Sequence, residues 1–175
     1  MRALSLAVLA LVVGPGPLTP VRPAADDIHQ KVVETIAAFK KKDPGIEKFF
    51  AGAIGYAVFP TVGKGAIGIG AARGTGELIV GGTAIGKTTL TQVTVGFQLG
   101  GQAYSEIIFF QEDNTLKGFK NGDFAFAAQA SAVAVTAGAS ANAGYRNGVA
   151  VFTMAKGGLM YEASIGGQKF SFKPY

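Results

Sequence analysis

Apolar and polar positions alternate most strictly between Gln92 and Gly100. Val93, Val95, Phe97 and Leu99 alternate with Thr94, Gly96, Gln98 and Gly100. That is the period-two pattern of a half-buried strand. Gly100-Gly101 interrupts it, and an extended apolar run resumes from Tyr104 to Phe110. The glycine pair reads as a two-residue hairpin turn or as a kink in one long strand, the hairpin being favoured. Further strands are expected at Gly55 to Phe59, stopped by Pro60, and at Thr88 to Leu99, Gly148 to Met154 and Gln168 to Phe172. Ala66 to Ala72 and Glu77 to Val80 flank Arg73-Gly74-Thr75-Gly76, and Gly148 to Met154 and Leu159 to Ser164 flank Lys156-Gly157-Gly158. Both read as hairpins. Phe124 to Ala139 is rich in alanine, which favours helix. It is read mainly as strand, because Val133 and Val135 alternate with alanine and Gly138 suits a helix poorly.

The period changes near the start of the chain. Ile28, Val32, Ile36 and Phe39 recur at spacings of four, four and three, so they share one helix face. Asp26 and Asp27 precede this stripe as capping residues, and Lys40-Lys41-Lys42 ends it where cations suit the helix dipole. Asp43-Pro44 opens a shorter helix carrying Lys48, Phe49 and Phe50, closed by Gly52 to Gly55. Asn114 is expected to cap a third helix, Thr115 to Lys120, ended by Asn121-Gly122. Strands joined by short turns, with helices bunched at the front, predict an α+β fold. It is mainly an antiparallel β sandwich or partial barrel with N-terminal helices packed against it.

Composition sharpens this picture. Glycine supplies 26 of 175 residues, about double its ordinary share, and without a collagen period. There is no cysteine, so there is no disulfide framework, thiolate metal site or nucleophilic thiol. Arg2, the apolar run Ala3 to Val13 and Ala24-Ala25 have the layout of a secretory leader. An uncleaved anchor is the alternative. The expected organisation is a signal peptide at 1–25 and a single domain at 26–175, with a helical front segment at 26–52 and a glycine-rich β body at 53–175. The expected location is exported, periplasmic or extracellular, and peripheral to a membrane. The net charge of +5 mildly favours anionic surfaces.

Gly81 to Thr88, GGTAIGKT, fits the phosphate-binding pattern G-x-x-x-x-G-K-[ST] at every required position. The motif needs a helix to begin at its lysine. Thr88-Thr89-Leu90-Thr91-Gln92-Val93 is β-branched and alternating instead, so a glycine loop between strands is expected and no nucleotide partner. The single histidine, His29, has no cysteine or second histidine beside it and reads as a surface residue rather than a metal ligand. Acyl-transfer triads have little to build on. Glu112-Asp113 and Asp26-Asp27 sit at turn or cap positions, and the basic residues do not cluster with aromatics as for nucleic acid. No catalytic residue, metal or cofactor is expected.

The stretches GYAVFPTVGKGAIGIG (Gly55 to Gly70), VTVGFQLGGQAYSEIIFF (Val93 to Phe110) and GGLMYEASIGGQKFSF (Gly157 to Phe172) resemble the SYLF domain family, most of all its exported bacterial members. The resemblance implies a non-enzymatic module that binds lipid, with phosphoinositide and actin binding in eukaryotic relatives. It further implies that a basic amphipathic helix before the domain contacts lipid. Ile28 to Lys48 matches that description in character, which makes Lys31, Lys40, Lys41, Lys42, Lys48, Phe49 and Phe50 the candidate lipid-binding residues. The competing expectation is a helix that buries its stripe on the sheet and ends in solvated lysines. The expected partner is an anionic phospholipid or membrane surface. The alternative is an envelope protein whose β body docks a protein partner.

Overall fold

The computed structural model describes residues 24–67, 69–95, 102–126, 131–156 and 163–175. Helix α1 spans Ala24–Lys42, a 3-10 turn spans Pro44–Ile46, and α2 spans Glu47–Gly52. The strands are β1 (Gly55–Ile67), β2 (Ile69–Val80), β3 (Thr83–Val95), β4 (Gln102–Phe110), β5 (Ser131–Ala134), β6 (Val149–Ala155), β7 (Ala163–Ser164) and β8 (Gln168–Pro174). Helix α3 (Asp113–Asn121) follows β4, and a second 3-10 turn, Ala139–Asn142, follows β5.

The strands form one sheet in the order β7-β5-β6-β4-β1-β2-β3-β8. All neighbours run antiparallel except β5 and β6. The two end strands are consecutive in sequence, joined through Ile165, Gly166 and Gly167, and Ala125 bridges to Lys169. The sheet therefore curls until its ends approach each other. The fold is α+β, and of the two expected β architectures the partial barrel describes it.

Side-chain alternation sorts the core into two layers. Ala57 and Phe59, Ile108 and Phe110, Val149 and Val151, and Leu78, Leu90 and Phe170 fill the enclosed side, joined by Leu116 and Phe119 of α3. Val58, Ile79, Ile107, Phe109, Ala150 and Phe152 face the other way and are covered by Val32 and Phe39 of α1, Ile46 and Phe49. The stripe predicted for the first helix is the face it buries, with Val32 and Phe39 at 1% and 0% exposure.

Several local expectations are corrected. Pro60 does not stop β1. The strand passes through it, and the register with both neighbours shifts there, between Val58 and Thr61 against β2 and between Phe59 and Val62 against β4. A residue without an N–H is accommodated at such a bulge. Arg73 to Gly76 is not a turn but the middle of β2, where Thr75 pairs Thr61 and Gly74 pairs Val62. A Cβ at Gly76 would lie 1.9 Å from the Val58 carbonyl oxygen, so the glycine is there for close approach to the bulge. The connection at 96–101 lies outside the described residues, but β3 and β4 are separated by β1 and β2. They form neither a hairpin nor one kinked strand. The segment 157–162 also lies outside, and β7 pairs with β5, not with β6, so no hairpin joins β6 and β7. Within 124–139 only Ser131–Ala134 is strand among the described residues. The first helix begins at Ala24, ahead of the expected aspartate caps, and α3 has Glu112 rather than Asn114 at its N-cap.

GGTAIGKT is a hairpin and the start of a strand. Gly81 and Gly82 have φ of +57° and +79° and connect Val80 to its partner Thr83, as a tight two-residue turn requires. Lys87 lies in β3 opposite Glu77 and Lys173, and Thr88 Oγ1 donates to the Ser171 carbonyl at 3.0 Å. The helix N-terminus that would bind phosphate is not there.

Candidate functional site

The basic residues of the front segment gather around the junction of α1 and α2. The junction is built on Asp43. This buried carboxylate accepts from Gly45 N at 3.1 Å and from Ser140 N at 2.6 Å, fixing the chain reversal between the helices. Burial works to raise its pKa, but the hydrogen bonds from Ser140 and Gly45 outweigh it and hold the carboxyl below its ordinary value. Lys40 is tied into the junction. It pairs with Glu47 at 3.0 Å and its Nζ lies 4.6 Å from the centre of the Phe50 ring. Lys48 Nζ lies 5.1 Å over the Phe49 ring and donates to the Ala141 carbonyl at 3.4 Å. Lys41 and Lys42 are exposed and enter no ion pair among the described residues.

Of the seven residues singled out by sequence, Lys40 and Phe50 are brought into contact here, Lys41 and Lys42 follow Lys40 at the end of α1, and Lys48 lies on α2. Phe50 is half-buried, with its ring 5.1 Å from Tyr56 and 4.8 Å from Phe109. Burial lifts the Tyr56 phenol above its ordinary pKa, and the charge of Lys40 pulls it part-way back. Phe49 does not belong to this surface. It is 2% exposed and packs on Phe109, Tyr145 and Phe152, with a Phe152 ring distance of 4.7 Å. In the folded protein it is core and has no free face to insert into lipid. Lys31 stands nine residues before Lys40 on α1, roughly 14 Å along the axis, and pairs with Asp27 at 2.7 Å.

Two polar constructions escaped the sequence. His29 Nδ1 lies 2.8 Å from Glu77 Oε2, and the Tyr175 hydroxyl donates to the other oxygen of the same carboxylate. Glu77 is 1% exposed, so a buried acid of β2 ties α1 to the last residue. On the enclosed side, Gln168 Nε2 donates to Glu106 Oε2 at 3.0 Å and lies 3.3 Å from the Tyr104 hydroxyl. All three are buried, and burial, with the Glu106 charge second, pushes the Tyr104 phenol far up. Among the described residues no group of three or more histidine, aspartate or glutamate side chains is placed to hold a metal ion. No described helix is long and apolar enough to cross a membrane.

Residues 91–174 match the family Ysc84, described as Las17-binding protein actin regulator. Over these residues the chain matches the SYLF domain family. The match runs from the second half of β3 through β8, so it covers α3 and the end of the sheet where β7 and β8 meet their partners. SYLF domains are binding modules. The helical layer and its lysines precede the matched segment. No match is found among curated proteins.

Proposed function

We propose that this protein is a non-enzymatic, exported module that binds anionic phospholipid surfaces through the end of its helical layer. The observation that carries the reading is the arrangement of Lys41, Lys42 and Lys48. All three are exposed, Lys41 and Lys42 in the last turn of α1 and Lys48 in the first turn of α2, on either side of the Asp43 reversal that makes this corner, while the apolar stripe of α1 is used up against the sheet. This is a charged corner on a rigid base, not an amphipathic helix with an apolar face to spare. Attraction to a bilayer is then mainly coulombic, with about 1 kcal/mol or less from each lysine near an anionic surface. Binding is weak and falls as salt shortens the screening length to about 8 Å at physiological strength.

Liposome co-sedimentation of the protein from residue 26 onward tests it. Sedimentation is expected with phosphatidylglycerol vesicles at low salt, less at high salt, and little with phosphatidylcholine. The triple variant Lys41→Gln/Lys42→Gln/Lys48→Gln is expected to lose most of it while keeping its melting temperature. Equal sedimentation of the variant would refute the corner as the lipid contact. If the wild type ignores both vesicle types, a protein-docking role in the envelope takes the place of lipid binding.

A further inference from the structure

A cleft runs along one flank of α1, away from the basic corner. It has two lobes, of about 380 and 420 Å³, that share Lys31, Pro60 and Thr61 in their walls. This is the volume range of small-molecule sites. Ile28, Lys31, Thr35 and Ala38 contribute from α1 at helical spacing. The floor is the Pro60 bulge. There β1 changes register with both neighbours, and β2 presents glycine at Gly74 because a Cβ would lie 2.9 Å from Val62 and 3.1 Å from the Thr61 carbonyl. Sheet pairing is thus opened under the helix, a position where bulges re-aim side chains.

Three cations line the cleft, one from each of three parts of the fold. Arg73 of β2 lines one lobe, Lys156 at the end of β6 lines the other, and Lys31 lines both. Lys156 reaches across to Thr61 Oγ1, 2.8 Å away and 95 residues distant in sequence. Its ammonium keeps two further donors. Hydroxyls of Thr61 and Thr75 stand in the same walls, while the buried Ser105 hydroxyl is spent on the Pro60 carbonyl at 2.8 Å. Two carboxylates stand nearby, Glu34 in the wall of the second lobe and Asp27 on Lys31, against three cations. Glu34 accepts from Gln30 at 3.0 Å, and the exposed Asp27–Lys31 pair is of the kind worth less than about 1 kcal/mol and easily exchanged. A guanidinium fork and two ammonium groups around hydroxyls form a donor set for a phosphate group.

We propose that this cleft binds a small phosphate-bearing anion, either a free organic phosphate or the headgroup of a single lipid, held by Arg73, Lys156 and Lys31. The site is separate from the basic corner, and its occupancy does not depend on bilayer binding.

The test is an NMR titration of the protein from residue 26 onward at constant ionic strength. Inorganic phosphate, glycerol 3-phosphate and short-chain phosphatidic acid below its micelle concentration are added in turn, with chloride as the control anion. Arg73 and Arg146 are the only arginines after residue 25, so the Arg146 Nε–H signal serves as the internal reference. Saturable shifts are expected at the Arg73 Nε–H and at the Thr61 and Lys156 amides, with Arg146 unmoved. Arg73→Gln and Lys156→Gln are each expected to weaken binding about fivefold, and the corner variant to leave it unchanged. Response to all three phosphates assigns the site to free phosphates, and response to phosphatidic acid alone assigns it to a lipid headgroup. Non-saturating shifts, or shifts that survive both substitutions, overturn the proposal, even if liposome binding succeeds.

Discussion

Ser140 and Asp43 are 97 residues apart in sequence, and the Ser140 backbone N–H donates to Asp43 Oδ2 at 2.6 Å. This contact fastens the helical layer to the turn after β5. It makes one buried carboxylate responsible for the chain reversal between α1 and α2 and for the docking of a distant loop.

Because the Asp43 pKa is lowered in the folded state, the carboxylate contributes stability at pH values above its unfolded value of 3.8. The contribution is lost as pH falls through the folded value. Asp43→Ala is expected to cost about 1–3 kcal/mol at neutral pH by leaving buried N–H groups without an acceptor. Urea unfolding at pH 7 and in steps below pH 4 checks this. The gap between wild type and variant narrows as acid protonates the wild-type carboxyl, and a gap independent of pH would refute the assignment.

Gly76 lies against the bulge, and Gly63 lies in open space with nothing within 4 Å of an added Cβ. Gly76→Ala is therefore expected to destabilise by about 3 kcal/mol or to prevent folding, as overpacking does. Gly63→Ala is expected to be tolerated within about 1 kcal/mol. Paired thermal melts of the two variants separate a packing constraint from a general preference for glycine.

The Tyr175 hydroxyl donates to the buried Glu77 carboxylate. Burial first, then this bond and the Glu77 charge, raise the Tyr175 pKa well above its ordinary 10.0, and Tyr104 is raised as well. A raised phenol contributes stability below its unfolded pKa and loses it as pH climbs through the folded one. In an ultraviolet titration, the buried Tyr104 is expected to ionise only with alkaline unfolding, and Tyr175, which is 63% exposed, to ionise later than a free phenol. Tyr175→Phe should cost about 1 kcal/mol near neutrality and remove its share of the late absorbance change.

Lys87 is exposed on β3, and Thr88 is spent on the Ser171 carbonyl. Lys87→Ala is expected to change stability by no more than about 0.5 kcal/mol. Calorimetry is expected to show no saturable heat with ATP and magnesium for either protein. Saturable binding lost in the variant would restore the phosphate-loop reading of GGTAIGKT.

Elements with one clean period were legible. The stripe Val32, Ile36, Phe39 is the buried face of α1, β6 and β8 lie within a residue or two of their expected bounds, and Asn121-Gly122 ends α3 with Gly122 at φ +80°. Glycine and proline misled where they serve packing instead of turning. Pro60 is inside β1 at a bulge, and Gly74 and Gly76 are inside β2 beneath it. Strand order was not legible, because alternation does not say which strand lies alongside, and at Val93 it named the wrong face: Val93 is 67% exposed while Gln92 is buried. The lysine corner was visible as a run in sequence. The cleft was not, since Lys31, Arg73 and Lys156 come to line it only through the fold. Phe49 was misassigned because an aromatic beside lysine reads the same whether it seals a core or faces a membrane.

The segment from Ala163 to Pro174 grips both ends of the sheet, β7 holding β5 and β8 holding β3. During synthesis it is the last described stretch to leave the ribosome. Until then β3 has an unpaired margin, and so does β5, each a template for a neighbouring nascent chain. A ribosome that stalls short of Ala163 releases a polypeptide with two open borders and every inner strand already made. This segment therefore acts as a clasp whose timing, more than its strength, keeps the margins of β3 and β5 from pairing with a neighbouring chain.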